Sequence, residues 1–231
     1  MRVRSEAELF GINLHLNVRG LEPSATIAIN ERSNELRHAG RDVIKLGLGQ
    51  SPFPIPPSVV RALQENAHQK DYLPARGLPA LREAVAAYHR RAQGIEAESE
   101  GVLVGPGSKE LMFLLQLVHS GDLVLPSPSW VSYAPQARIL GRQVHWIPTS
   151  GKGDWKMGAG QLDAFCSAAP HRPRILVINY PSNPTGATYD ESELRAIAAV
   201  ARRHRLIVLA DEIYGETHHL LSPALTMVPS G

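Results

Sequence analysis

Two short apolar runs joined by one amphipathic segment constrain the fold of this chain more than any other feature. Residues 175–178 and 206–210 are rich in aliphatic and β-branched side chains and lie close to turn-forming residues, which is typical of buried strands in a parallel sheet. Between the runs, Asp190 and Glu193 have the spacing of a capping box, which predicts the start of a helix. The order strand, helix, strand predicts a crossover unit of a parallel α/β sheet.

Polar side chains follow both predicted strands at the end where parallel α/β sheets bind their ligands. Asn183 and Thr185 follow the first strand, and Asp211 and Tyr214 follow the second. An acid directly after an apolar strand is costly to bury unless a partner meets it. A helix cap or a structural ion pair would account for Asp211 alone, whereas Asp211 together with Asn183 and Tyr214 favours a ligand site.

The motifs at these strand ends resemble those of a known enzyme family. Residues 183–186 read Asn-Pro-Thr-Gly and residues 210–214 read Ala-Asp-Glu-Ile-Tyr, which is similar to the class I/II aminotransferases, the fold-type I enzymes that use pyridoxal 5'-phosphate. The resemblance implies a transaminase that moves an amino group between an amino acid and a 2-oxo acid. It also implies that Asp211 keeps the pyridine nitrogen protonated, so that the ring is an electron sink, and that Tyr214 and Asn183 hydrogen-bond the phenolic oxygen.

A glycine-rich turn earlier in the chain predicts a helix start that can bind an anion. Residues 102–104 are expected to form a short strand, and Gly105, Gly107 and Ser108 follow before a helix through about residue 118. Glycines let backbone N–H groups approach an anion, and the helix dipole adds to the attraction. The spacing matches neither a P-loop nor a dinucleotide fingerprint. The resemblance implies that Gly107, Ser108 and Lys109 bind the cofactor, with Lys109 starting the helix and not serving as the imine lysine.

Three further residues belong to the expected site. Trp130 follows a predicted strand and offers a flat ring face, with a place in the core as the alternative and Tyr133 as a weaker candidate beside it. The resemblance implies that Trp130 stacks on the pyridine ring and that Gly49 lines the substrate side. It implies that Tyr72, otherwise a loop aromatic, reaches the phosphate of the neighbouring subunit in a homodimer. After Gly49, residues 50–52 read Gln-Ser-Pro where many family members have Glu-Pro-Asp, which weakens any inference about substrate.

The remaining patterns predict more elements on the same plan. Helices are expected over residues 25–38, 57–68, 79–93 and 160–169, and strands over 123–125 and 143–147. Together with the resemblance, they predict an α/β fold with a mostly parallel sheet and helices on both faces. Residues 49–231 are expected to be the cofactor-binding large domain in incomplete form, and residues 1–48 an N-terminal arm and small-domain segment.

Composition excludes several other classes of function. A net charge of +2, from 24 Lys plus Arg and 22 Asp plus Glu, gives no electrostatic case for binding nucleic acid or an anionic membrane. Cys166 is the only cysteine, so no internal disulfide is possible and a reducing compartment is favoured. No signal peptide and no apolar run of about 20 residues are visible, and a cytoplasmic protein is expected. His218 and His219 have no second cluster at ligand spacing, so no metal site is expected.

The lysine that forms an imine with the cofactor in this family has no counterpart after Asp211 in these residues. The lysines are five in number and none follows Asp211, whereas in the family the imine lysine lies after the next strand. The resemblance therefore implies the amino-terminal part of a family subunit. Three interpretations stay open: part of an ordinary aminotransferase; a non-catalytic short form or pseudoenzyme that acts as a binding or dimerisation partner; or a lyase, decarboxylase or synthase of the same fold.

Overall fold

The computed structural model describes residues 13–51 and 53–216. They belong to two compact units: residues 22–78 form one, and the segment 13–21 together with residues 79–216 belongs to the other. The sequence analysis places a domain boundary between residues 48 and 49, whereas the boundaries of these units follow residues 21 and 78. The assignment of residues 1–48 and 49–231 to two domains stays a prediction.

The smaller unit contains two helices, α1 (Ala25–His38) and α2 (Pro57–Asn66). Both were predicted, and α2 ends two residues before its expected end. After α1 the chain turns through Gly40, whose φ of 78° is left-handed, and the Gly40 and Arg41 N–H groups donate to the carbonyls of Arg37 and Leu36. This pattern satisfies carbonyl groups that the end of a helix leaves open.

The larger unit is built on a parallel sheet. Its strands are β1 (Asp122–Ser127), β2 (Val144–Pro148), β3 (Arg174–Asn179) and β4 (Ile207–Asp211), in the order β2-β1-β3-β4. Every neighbouring pair is parallel. The helices of this unit are α3 (Pro79–Gln93), α4 (Ser108–Val118), α5 (Tyr133–Ile139), α6 (Ala159–Ser167) and α7 (Glu191–Arg203).

Helices cover both faces of the sheet, so the core lies in two layers. Side chains alternate across a strand: Ile175 and Val177 of β3 join the core that contains residues of α4 and α5, and Leu176 and Ile178 join the core that contains residues of α6 and α7. All six residues of β3 are buried. The predicted fold class and the predicted buried strand are thereby confirmed.

The predicted capping box forms at the start of α7. Asp190 Oδ1 accepts from the Glu193 N–H at 2.9 Å, and Glu193 Oε2 accepts from the Asp190 N–H at 2.8 Å. Two N–H groups of the helix start are satisfied in this way. Because α7 connects β3 to β4, this start helps to place the two strands whose ends carry Asn183 and Asp211.

Two elements of the larger unit differ from the sequence prediction in kind. The prediction of a strand over residues 102–104 is wrong. Val102 has extended dihedral angles, but within the described part of the chain no strand pairs with this segment. The Val102 carbonyl instead accepts from Arg82 Nε at 3.1 Å. Helix α5 was not predicted, because it is short and contains Pro135, which is tolerated only in the first turn, where N–H groups have no helical acceptor.

Within the described part of the chain, none of the helices combines the length and the apolar character that crossing a membrane requires.

Candidate active site

Asp211 ends β4 and is held by donors from several directions. Its Oδ2 accepts from the Tyr133 hydroxyl at 2.6 Å, and its Oδ1 accepts from the Ile213 N–H at 3.2 Å. Its carbonyl accepts from Asn179 Nδ2 at 2.7 Å, across the register pair that joins the ends of β3 and β4. The residue is half-buried, so the two bonds to its carboxylate orient that group and offset part of the cost of its desolvation.

Tyr133 is the main side-chain partner of that carboxylate. It begins α5 and is 2% exposed. Burial, reinforced by the hydrogen bond to Asp211, holds the pKa of the Tyr133 phenol far above its ordinary value. The phenol is therefore protonated at neutral pH and acts as a donor, while Asp211 accepts. The sequence pattern pointed to Tyr133 only as a weaker neighbour of Trp130, because nothing local indicates a contact with residue 211.

Asn183 and Tyr214 meet beside this pair, as their positions after β3 and β4 predicted. Asn183 Nδ2 donates to the Tyr214 hydroxyl at 3.2 Å. The Asn183 N–H donates to Asn179 Oδ1 at 2.6 Å. The side-chain amide of Asn179 therefore links two segments: its oxygen accepts from Asn183, and its nitrogen donates to Asp211. Sequence reasoning missed Asn179, although a polar residue at the end of a fully apolar strand is a usable signal.

The start of α4 leaves its first N–H groups accessible. Gly107, the residue before the helix, has a φ of 96° and is exposed together with Ser108 and Lys109. A Cβ at Gly107 would meet no atom within 4 Å. The first N–H groups of a helix have no intrahelical acceptor and attract anions. The helix start that the glycine-rich turn predicted is therefore present, and anion binding at it stays a prediction.

Lys109 and Trp130 connect the start of α4 to the Tyr133–Asp211 pair. The Lys109 ammonium lies 4.9 Å from the centroid of the Trp130 ring, a cation–π distance. The Trp130 ring in turn meets the Tyr133 ring edge-on at 5.3 Å. Gln136 of α5 donates to the Lys109 carbonyl at 2.7 Å and is a contact that sequence reasoning missed. The structure thus brings three separate segments, at residues 109, 130–136 and 211, into one series of contacts.

Gly49 and Tyr72 lie in the smaller unit, and their expected roles stay predictions. Both residues are exposed. His218 and His219 lie outside the described residues. Among the residues that the structure does describe, no group of three His, Cys, Asp or Glu side chains is placed to hold a metal ion.

Comparison with known proteins identifies the family. The family model for aminotransferase class I and II matches residues 41–223, and this chain belongs to that family, whose members depend on pyridoxal phosphate. The resemblance stated from residues 183–186 and 210–214 is confirmed.

Individual relatives agree with this assignment. The chain is 37% identical over 210 residues to the aspartate aminotransferase of Geobacillus stearothermophilus, covering 88% of this chain and 52% of that protein. It is 34% identical over 208 residues to an asparagine–oxo-acid transaminase of Streptococcus mutans, covering 87% and 52%. The chain therefore spans about half the length of the curated relatives it matches.

Solved structures give the same result for the fold. The aspartate aminotransferase of Thermus thermophilus with maleate superposes with a TM-score of 0.85 at 32% identity, over 93% of this chain and 56% of that one. The aromatic aminotransferase of Pyrococcus horikoshii gives a TM-score of 0.72 at 31% identity, over 84% and 52%.

Proposed function

We propose that this chain supplies most of the pyridoxal phosphate site of a transaminase, which moves an amino group between an amino acid and a 2-oxo acid. The hydrogen bond between Tyr133 and Asp211 carries the proposal. It holds a carboxylate in one orientation at the carboxyl end of β4, the edge of a parallel α/β sheet at which ligands bind.

Two features of the site support a fit to this cofactor. A carboxylate has about four acceptor positions, and those of Asp211 include one bond from Tyr133 and one from the Ile213 N–H, so a further donor can be bound. At the start of α4, the open space beside Gly107 leaves room for a phosphate group. The cofactor needs a site for its ring nitrogen and a site for its phosphate.

The proposed roles of the ring-contacting residues follow from their chemistry. When bound, pyridoxal phosphate supplies a pyridine ring that withdraws electrons from the bonds at the Cα of an amino acid. Asp211 would accept a hydrogen bond from the protonated ring nitrogen and keep the proton on that atom. Asn183 and Tyr214, which contact each other, would hydrogen-bond the phenolic oxygen. Trp130, which is half-buried, would stack on the ring.

The proposed phosphate contacts come from the helix start. The N–H groups of Gly107, Ser108 and Lys109 and the Ser108 hydroxyl are donors that suit an anion. The Lys109 ammonium, held over the Trp130 ring, adds positive charge to the same region. In this arrangement the start of α4 would hold the phosphate, and Trp130 and Asp211 would hold the ring.

Substrate and assembly are proposals of the same kind. Aspartate is the amino donor to test first, because several relatives are named aspartate aminotransferases. We propose a cytoplasmic homodimer in which Tyr72 reaches the phosphate of the neighbouring subunit and Gly49 lines the substrate side. Residues 49–231 would form the cofactor-binding domain and residues 1–48 part of the small domain.

The experiment that tests the proposal is an absorbance titration of the purified chain with pyridoxal phosphate, followed by borohydride reduction and peptide mapping. Saturable binding that Asp211→Ala weakens supports the proposed site, and no specific binding would overturn it. Reduction that attaches the cofactor to one lysine would identify an amine within these residues and favour the enzyme. Binding without such attachment would show that these residues hold the cofactor and do not themselves supply the amine.

A further inference from the structure

The turn that begins α4 has little to hold it from within the helix. Gly107 is the N-cap residue and has no side chain that could accept from the first N–H groups. The Leu111 N–H reaches the Gly107 carbonyl only at 3.5 Å, which is long for a hydrogen bond. The position of this turn therefore depends on contacts from outside α4.

Gln136 of α5 provides such a contact from the core. Its Nε2 donates to the Lys109 carbonyl at 2.7 Å, and its Oε1 accepts from Gln116 Nε2 at 3.1 Å. Because a carbonyl can only accept, the orientation of the Gln136 amide is determined. Gln116 Nε2 also donates to the Met112 carbonyl at 3.2 Å. Gln116 is 2% exposed and Gln136 is 9% exposed, so this amide pair lies almost out of water.

Gln136 and Tyr133 lie three residues apart on α5 and therefore close to each other on the helix surface. Tyr133 donates to Asp211, and Gln136 donates to the carbonyl of Lys109. Helix α5 is thus bonded at one point to the acid at the end of β4 and at another to the first turn of α4.

We infer that Gln136 is a positioning residue that sets the distance between the turn at residues 107–109 and the Tyr133–Asp211 pair. This inference rests on the proposed function, in which the turn binds the phosphate and Asp211 binds the ring nitrogen. Phosphate and ring belong to one small molecule with a short linker, so both ends bind well only when the two parts of the site are correctly spaced. Gln136 itself would contact neither the phosphate nor the ring.

The test compares Gln136→Met with Gln116→Met in the 231-residue chain. Both replacements remove a buried amide of similar size, but only the first removes the bond to the Lys109 carbonyl. Affinity is measured for pyridoxal phosphate and for pyridoxal, which lacks the phosphate, and hydrogen exchange is measured at the amides of residues 111–113. We expect Gln136→Met to reduce the affinity advantage of pyridoxal phosphate over pyridoxal by about five- to tenfold, as for one lost hydrogen bond. Exchange at residues 111–113 should rise in that variant and change less in Gln116→Met.

The outcomes separate this inference from the proposed function. An unchanged affinity ratio in Gln136→Met, or equal exchange in the two variants, would overturn the positioning role. If the unaltered chain binds neither pyridoxal nor pyridoxal phosphate, the proposed function is wrong, and the exchange rates alone decide whether Gln136 holds the turn. Gln136→Asn keeps the amide but is one methylene shorter. It should change the affinity ratio and the hydrogen exchange in the same directions as Gln136→Met, and it replaces that variant in the test if Gln136→Met does not fold.

Discussion

The Tyr133 hydroxyl donates a 2.6 Å hydrogen bond to Asp211 Oδ2, although the two residues are 78 positions apart in the sequence. Tyr133 begins α5 on one face of the sheet, and Asp211 ends β4. The phenol is buried and its pKa is raised by that burial and by the bond to Asp211. It therefore serves as a permanent neutral donor to the carboxylate that we propose as the partner of the pyridine nitrogen.

Replacing Tyr133 by Phe should weaken cofactor binding. The substitution removes the donor to Asp211 Oδ2 while keeping the ring that meets Trp130. We expect the dissociation constant for pyridoxal phosphate to rise about three- to tenfold, because one hydrogen bond to a charged group is lost but the carboxylate remains. Absorbance titration of the purified variant measures the change.

Tyr189→Phe is the matched control for that variant. Tyr189 also has a raised phenol pKa, caused mainly by burial, and its hydroxyl accepts from the Met157 N–H at 3.0 Å. Its side chain packs against the core that contains residues of α6 and α7. The control should lower stability with little effect on affinity, and an equal loss of affinity in both variants would argue against a specific role for Tyr133.

Replacing Asp211 by Ala should abolish most of the transaminase activity of any active protein that contains these residues. Without the carboxylate the ring nitrogen would lose the hydrogen-bond acceptor that keeps it protonated, and the ring would withdraw electrons less strongly. We expect a fall in kcat of several orders of magnitude, measured by transfer from aspartate to a 2-oxo acid. Asp163→Ala, which removes a carboxylate bonded to His204 on another part of the larger unit, should leave kcat nearly unchanged. Activity retained by Asp211→Ala would show that Asp211 is not the partner of the ring nitrogen.

The purified 231-residue chain should not transaminate at a normal rate. No lysine follows Asp211, and the reaction needs a positioned amine. Product formation from an amino acid and a 2-oxo acid, followed with a mass-verified sample, checks this expectation. Turnover would contradict the expectation, and borohydride reduction with peptide mapping would then identify the lysine that supplies the amine.

The capping box at α7 should contribute to stability in a pH-dependent way. The backbone hydrogen bond from Glu193, aided by the Ser192 hydroxyl, lowers the pKa of Asp190 below its ordinary value of 3.8. A depressed folded-state pKa means that the stabilisation is fully present above the unfolded pKa and is lost as the pH falls through the folded pKa. Asp190→Ala should therefore unfold at a lower urea concentration than the unaltered chain at pH near 7. The difference between the two midpoints should shrink once the pH falls below the ordinary Asp pKa of 3.8.

Asp190→Asn provides the control for this effect. Asparagine can cap a helix without a charge, so this variant should keep much of the stability at neutral pH and show a weaker dependence on acid. A gap between Asp190→Ala and the unaltered chain that stays constant from neutral to acidic pH would contradict the assignment of the carboxylate as the cap.

Local patterns were sufficient to predict several elements. Residues 175–178 form a fully buried strand, as their unbroken apolar character indicated, and Asp190 with Glu193 starts a helix as a capping box does. Strand ends in a parallel sheet lie at one edge, so Asn183 and Tyr214 could be expected to meet, and they do. The prediction failed for residues 102–104, because a strand needs a partner and no local pattern reveals whether one lies beside it.

The sequence by itself determined the family, the crossover unit and the residues at the strand ends, because these depend on periodicity, turn chemistry and motifs within one short segment. Only the tertiary structure decided that Tyr133 bonds Asp211 and that Gln136 holds the Lys109 carbonyl. Both contacts join segments that are distant in sequence. Their geometry depends on how α4 and α5 pack against the same face of the sheet, and no local propensity records that packing.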